Sequence, residues 1–210
     1  MKKLPILIDQ DGVLADFVGN LYRHFALRYQ RKFLTDVEYQ SLPLMNELVS
    51  YYVEDQIEDP FLKKLCINIT EQPRFFRELE PYPEVKEWLN LLKEEAAKND
   101  REVFICTKPL SGNLSCHSDK VDWIRNHLGP EWVSKVIMTS DKTLVAGSVL
   151  VDDHPKVIGQ LEPSWTQIYM DQSYNKDLPG HRVFGWSQQT IDQILKISND
   201  NMFPTFSFTS

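Results

Sequence analysis

Leu4-Pro5-Ile6-Leu7-Ile8-Asp9-Gln10-Asp11-Gly12-Val13 is the stretch whose reading decides the fold. Its apolar run is continuous rather than alternating, the pattern of a parallel strand buried on both faces. The run stops at Asp9, a second carboxylate follows at Asp11, and Gly12 turns the chain. The same layout recurs downstream. Residues 103–106 form an apolar run ending at Thr107, residues 136–138 form another, and residues 149–151 end at Asp152. Residues 167–170 read as a fifth strand and residues 182–184 as an edge strand. Helical periodicity separates them. Over 84–98 it places Val85, Trp88, Leu89 and Leu92 on one face, and over 119–128 it aligns Val121, Ile124 and Leu128 before Gly129-Pro130. Strands alternating with helices predict an α/β fold, a doubly wound parallel sheet covered on both faces. In such sheets the polar residues just past the carboxyl ends of the strands meet in one crevice. Here they are Asp9, Asp11, Thr107, Asp152 and Asp153.

Residues 17–81 break the alternation. They are rich in helix formers and aromatics, and Pro43, Pro60 and Pro73 divide them into pieces. They read as a small helical cap inserted after the first strand, with Pro81-Tyr82-Pro83 as the return hinge. Most of its aromatics are expected to pack the cap itself. The expected division is a catalytic core over 1–16 and 82–198, a cap over 17–81 and a surface tail over 199–210.

Two carboxylates at one strand end cannot both stay ionised in a small site without a compensating cation. Mg²⁺, a hard ion that takes carboxylate and carbonyl oxygens, suits Asp9 and Asp11, with Asp152 and Asp153 adding further oxygen. A phosphate monoester supplies the remaining oxygens, and the metal offsets its charge. Thr107 can hold a phosphate oxygen through its hydroxyl and nearby backbone N–H groups, and Lys142, in Ser140-Asp141-Lys142-Thr143, offers a point charge to the same anion. Phe17 follows the first motif closely enough to lie over the site. Each feature has a bland counterpart: a turn aspartate, a capping threonine, a solvated lysine. Their order at successive strand ends is what points to function.

The chain has 210 residues, a net charge of −7 and a pI near 5.3. That acidity disfavours a nucleic-acid polymer as partner. The apolar runs are too short to span a bilayer, so no membrane association is expected, and the N-terminal stretch is too short for a signal peptide. Cys66, Cys106 and Cys116 have no metal-type spacing and suit reduced thiols in a cytoplasmic protein.

Asp9-Gln10-Asp11-Gly12-Val13, Thr107, Lys142 and Asp152-Asp153 resemble the four ordered motifs of haloacid-dehalogenase-type phosphatases. Ile8 through Phe17, Phe75-Phe76-Arg77-Glu78-Leu79-Glu80-Pro81, Phe104-Ile105-Cys106-Thr107, Asp141-Lys142-Thr143 and Val151-Asp152-Asp153-His154-Pro155 are similar to 5'(3')-deoxyribonucleotidases. The resemblance implies a magnesium-dependent phosphomonoester hydrolase for deoxyribonucleoside monophosphates, with a sugar phosphate or another small phosphate as the alternative substrate. A non-catalytic phosphate- or nucleotide-binding regulator is a third reading, opposed by the intact Asp9–Asp11 pair. It implies that Asp9 attacks phosphorus to give an aspartyl-phosphate and that Asp11 acts as acid and then base. It further implies that Asp9, the Asp11 carbonyl and Asp153 hold Mg²⁺, with Asp152 direct or water-mediated, and that Thr107 and Lys142 bind the phosphoryl group. Phe17 and Phe76 match positions lining the nucleoside pocket. The chain departs from the family at Lys108, where a small residue is common; its side chain either adds a phosphate contact or points to solvent. Lys120 occupies a position where some relatives also carry lysine. Members of the family form dimers, which leaves a homodimer open.

Overall fold

The computed structural model describes residues 3–201. Its elements run β1 (Ile6–Ile8), β2 (Ala15–Asp16), α1 (Phe17–Gln30), α2 (Asp36–Gln40), α3 (Pro60–Thr70), β3 (Glu80–Pro81), α4 (Val85–Ala97), β4 (Val103–Thr107), α5 (Cys116–His127), β5 (Val136–Met138), β6 (Val149–Asp152), β7 (Thr166–Met170), β8 (His181–Val183) and α6 (Gln188–Asp200). Six strands form one parallel sheet in the order β5-β4-β1-β6-β7-β8. The chain leaves β1 toward β4 and β5, then crosses to β6 on the other side. The carboxyl ends of β1, β4 and β6 therefore border the point where the winding reverses, the place where open α/β sheets form a crevice.

Ile6, Leu7 and Ile8 are fully buried, as are Val149, Leu150 and Val151 beside them. Each buried aliphatic side chain contributes about 1.5–3 kcal/mol, which is why these short continuous runs hold the centre of the sheet. Alternate side chains serve opposite faces. Ile6, Ile8, Val103 and Ile105 join Leu89 and Leu92 of α4, Trp123 and Ile124 of α5, and Ile191 and Ile194 of α6 in one large cluster. Leu7, Cys106 and Leu150 face the other way into a small cluster with Trp165, packed by Val145 and Val157. That second face is covered by connecting segments rather than by α-helices, because the links from β6 to β7 and from β7 to β8 contain none.

Between β2 and β3 lie α1, α2 and α3. β2 and β3 pair antiparallel, Ala15 with Pro81 and Asp16 with Glu80, so the segment that leaves the sheet returns beside its own start. Asp16 caps α1 through a 2.9 Å bond from the Gly19 N–H, and Asp59 caps α3 ahead of Pro60, whose missing donor is harmless at a helix start. Leu21, Phe25, Leu62, Ile69 and Phe75 of this insertion belong to the same apolar cluster as the sheet.

Helix α5 starts three residues before the expected Asp119, at Cys116, and α6 is a helix that the sequence reading passed over. It continues through Asp200, so the expected tail from 199 overlaps its last turn, and residues 202–210 lie outside the described residues. The edge strand ends at Val183, one residue short of Phe184, which is 76% exposed.

Candidate active site

The loop after β1 is wound around one carbonyl. The N–H groups of Leu14 and Ala15 both donate to the Gln10 carbonyl, at 2.8 and 2.9 Å, while the Asp9 N–H donates to Val151 at the end of β6. Gly12 has φ +71°, and a β-carbon there would lie 2.0 Å from Asp153 Oδ2. Both the left-handed backbone and the close approach require glycine. This winding sets Asp9 beside Asp152 and Asp153: one carboxylate oxygen from each lies within 4.8 Å of the others, and all three residues are buried.

Two buried lysines neutralise part of this charge. Lys142 Nζ lies 2.9 Å from Asp9 Oδ1 and 2.6 Å from Asp152 Oδ2. Its position comes from a short turn in which Asp141 Oδ1 accepts from the Thr143 N–H and hydroxyl, while Asp141 Oδ2 accepts from the Gln160 N–H. Lys120, projecting from α5, donates to Asp11 Oδ2 at 2.6 Å and to the Thr107 hydroxyl at 2.8 Å. Its ammonium also lies 5.2 Å from the centre of the Phe76 ring.

The remaining charge is uncompensated. Burial raises the Asp11 carboxyl above its ordinary range, opposed by Lys120 and reinforced by Asp9. Burial, opposed by Lys142, pushes Asp152 up to about 6, and burial with the charges of Asp152 and Asp9 pushes Asp153 well above the usual carboxylate range. Oδ1 of Asp11 and Oδ1 of Asp153 are buried without a hydrogen-bond partner. Crowded carboxylates with free oxygens are the donor set a hard divalent cation takes, so these residues fit Mg²⁺.

The residues singled out from sequence fall into place unevenly. Asp9, Asp11, Thr107, Lys142, Asp152 and Asp153 come together. Phe17 is half-buried at the start of α1, its ring 5.5 Å from Phe75 and 6.1 Å from Phe76, which is itself buried. Lys108 is exposed, and its charge is felt at Asp141 and His154. Several neighbours escaped the sequence reading. The ring of Tyr51, from the insertion, lies tilted 4.4 Å from His154 and edge-to-face 5.8 Å from Tyr174. Burial, then the charges of Asp153, Asp9, Asp152 and Asp11, raise its hydroxyl far above the ordinary value, which marks its closeness to the carboxylates. Tyr174 donates to Asp153 Oδ2, and Asn175 Nδ2 donates to the Asp153 carbonyl at 2.8 Å. Gln172 Nε2 donates to the Gly12 carbonyl at 3.0 Å. These three residues follow β7 without periodicity or motif; only their position past a strand end could have flagged them.

Known proteins resemble this chain at two levels. A haloacid dehalogenase-like family hydrolase from Xanthomonas campestris has a TM-score of 0.50 at 13% identity, covering 96% of this chain and 99% of that one. A HAD hydrolase from Bacillus subtilis, solved bound to magnesium, has a TM-score of 0.51 at 12% identity, covering 93% and 100%. Both likenesses establish the fold. Sequence reaches further. The cytosolic-type 5'(3')-deoxyribonucleotidase of Homo sapiens is 34% identical over 201 residues, spanning 89% of this chain and 90% of its own. The mitochondrial 5'(3')-deoxyribonucleotidase of Homo sapiens is 32% identical over 193 residues, spanning 89% and 80%. The profile of the family described as 5' nucleotidase, deoxy (pyrimidine), cytosolic type C matches residues 2–198, and with it the chain is a phosphatase belonging to that family.

Proposed function

We propose that this protein hydrolyses deoxyribonucleoside monophosphates in a Mg²⁺-dependent reaction through a phosphorylated Asp9. One observation carries the reading: the buried cluster of Asp9, Asp152 and Asp153, bracketed by Lys142 and Lys120. An uncompensated carboxylate cluster beside two ammonium groups suits a dianionic ester together with a cation, and suits neither alone.

Asp9 and Asp153 through their carboxylates, and Asp11 through its backbone carbonyl, would hold the ion; Asp152, already engaged by Lys142 and by the His154 N–H at 2.8 Å, would stand behind them. Mg²⁺, when bound, offsets the charge of the ester and of Asp9. The Asp9 oxygen attacks phosphorus, the P–O ester bond breaks, and an aspartyl-phosphate forms. Asp11, whose carboxyl burial raises above its ordinary range, gives its proton to the leaving oxygen. It then takes a proton from the water that cleaves the acyl phosphate, which restores Asp9 and releases inorganic phosphate. Thr107 and Lys142 bind the phosphoryl oxygens as charge shifts across them. Lys108 stands at the rim, where a mobile ammonium can meet the incoming anion.

Residues 17–81 act as a cap over the core formed by 1–16 and 82–198, and Phe17 and Phe76 face the nucleoside. An apolar wall leaves a ribose 2'-hydroxyl without a partner, a cost of about 1–3 kcal/mol that favours the deoxy sugar. From the family resemblance we add a homodimer and a cytoplasmic setting; no helix among the described residues is long and apolar enough to cross a membrane. The test compares kcat/KM for dUMP, dTMP, UMP and a panel of sugar phosphates, with and without Mg²⁺. Higher efficiency on dUMP than on UMP, lost on chelation, supports the reading. Stronger activity on a sugar phosphate than on every nucleotide sinks the substrate assignment.

A further inference from the structure

The turn that leads from α3 to Phe75 and Phe76 closes on itself through the Phe75 N–H, which donates to the Gln72 carbonyl at 3.2 Å, and is tied down from outside by side chains of the core. Asn113 Nδ2 donates to the carbonyls of Thr70 and Gln72, at 2.9 and 2.8 Å. Asp119 Oδ2 accepts from the Arg74 N–H at 2.8 Å and from the Ser115 hydroxyl at 2.6 Å. Ser115 in turn donates its N–H to Asn113 Oδ1 at 3.0 Å, and its one hydroxyl hydrogen lies between Asp119 Oδ2 and Asn113 Oδ1. Asn113 and Asp119 are 2% and 4% exposed, and no Lys, Arg or His side chain pairs with Asp119 among the described residues. Arg74 adopts φ +72°, a left-handed conformation that a non-glycine residue keeps only when its surroundings fix it. One turn along α5, Trp123 Nε1 donates to the Leu79 carbonyl at 2.7 Å. The residue next to Asp119 on α5 is Lys120, whose ammonium touches Asp11, Thr107 and the Phe76 ring.

From this juxtaposition we infer that Asn113 and Asp119 are positioning residues that set substrate selectivity. They lock the 70–76 turn to α5 and so fix the Phe75–Phe76 wall relative to Lys120 and Asp11. Helix α5 carries both Asp119 and the lysine at the reacting groups, with Asn113 in the turn just before it, so loosening the 70–76 turn moves the wall without moving Lys120. A nucleotide, which reaches the wall, feels the change. A small aryl phosphate, which occupies only the phosphate end, does not. The inference rests on the nucleotidase reading for its choice of substrate.

The experiment takes the full chain with Asp119→Ala, Asn113→Ala and the conservative Asp119→Asn, which keeps an acceptor for the Arg74 N–H. Asp119→Ala and Asn113→Ala should raise KM for dUMP about tenfold, the scale of one charge-assisted hydrogen bond. Both should leave kcat for dUMP, and both constants for p-nitrophenyl phosphate, near wild type. Asp119→Asn should recover most of the nucleotide KM. Trypsin should cut after Arg74 faster in both alanine variants, a readout that needs no substrate. If Asp119→Ala fails to fold, Asn113→Ala carries the same comparison at a neutral residue. Parallel losses on nucleotide and aryl phosphate, or an unchanged nucleotide KM, overturn the selectivity role. Unchanged cleavage at Arg74 overturns the clamp. A wild-type enzyme that ignores nucleotides defeats the substrate reading instead, while the trypsin result still decides the clamp.

Discussion

Tyr174 donates its phenolic hydrogen bond to Asp153 Oδ2, the carboxylate whose other oxygen is buried without a partner. One oxygen of Asp153 is thus aimed by the protein and the other is left for a ligand. The aim is reinforced from behind: Asn175 holds the Asp153 carbonyl, and Arg182 holds Asn175 Oδ1 at 2.6 Å. Residues that orient a metal ligand in this way typically contribute about 10–100-fold in metal affinity. Tyr174→Phe keeps the ring against Tyr51 and removes only the donor, so it should weaken Mg²⁺ binding about tenfold. Calorimetric titration of the purified protein measures this directly; an unchanged affinity would show that Asp153 needs no orienting bond.

Asp9→Asn removes the nucleophile and one charge from a crowded cluster while keeping the side-chain shape. Turnover should fall more than a thousandfold, above ~4 kcal/mol of barrier. The metal-free fold should keep its melting temperature, because the substitution relieves repulsion at Asp152 and Asp153. Steady-state kinetics beside thermal unfolding checks both halves, and a loss under about tenfold would exclude the covalent route.

Asp11→Asn leaves the loop intact but removes the proton that the leaving oxygen needs. A nucleotide leaves as a poor alkoxide and depends on that proton, whereas p-nitrophenolate leaves readily without it. The variant should therefore lose much more activity on dUMP than on p-nitrophenyl phosphate in its first step. Single-turnover rates with the two substrates report that difference, and equal losses would remove the acid role.

The raised carboxyl groups predict a pH signature of metal binding. Without a cation, burial pushes folded Asp152 up to about 6 and holds Asp153 well above the usual carboxylate range. The folded state then holds protons that the unfolded state releases, so the contribution of these groups is fully present at low pH and is lost as pH rises through about 6. Mg²⁺ requires the ionised forms and offsets their repulsion. The rise in melting temperature on adding Mg²⁺ should thus be larger at about pH 8 than at about pH 5. Asp153→Asn should flatten that dependence. An equal Mg²⁺ effect at both pH values in wild type would contradict it.

Much of the sheet was legible because buried parallel strands must be continuous apolar runs, and the runs at 6–8, 103–107, 136–138 and 149–152 have no other reading at that length. Asp9, Asp11, Thr107 and the Asp152–Asp153 pair were legible for the same reason: a strand end is a fixed address in such a fold. Lys142 was reachable through the turn-forming Asp141 and Thr143 around it. What stayed hidden has no local signature. Tyr51 sits outside any α-helix, and its place beside His154 depends on how α1 and α3 pack. Lys120 stood out only through the family resemblance, and its contact with Asp11 depends on a helix register that packing decides. Tyr174 and Asn175 act through bonds that span more than twenty residues. Helix α6 was passed over although Ile191, Ile194, Leu195 and Ile197 give it an apolar face at helical spacing.

The insertion and the sheet share one apolar cluster in which Phe25 and Phe75 are continuous with Ile6 and Leu92. The apolar contact between the two parts is continuous, so heat or denaturant has no weak seam at which to part them. The protein should melt in one cooperative transition, and a cavity cut at the far end of β1, at Ile6 for instance, would be shared by the whole molecule. Access to the carboxylates then has to come from side chains outside that cluster, such as those of Tyr51 and Tyr52. The enzyme would breathe at its rim while its body stays whole.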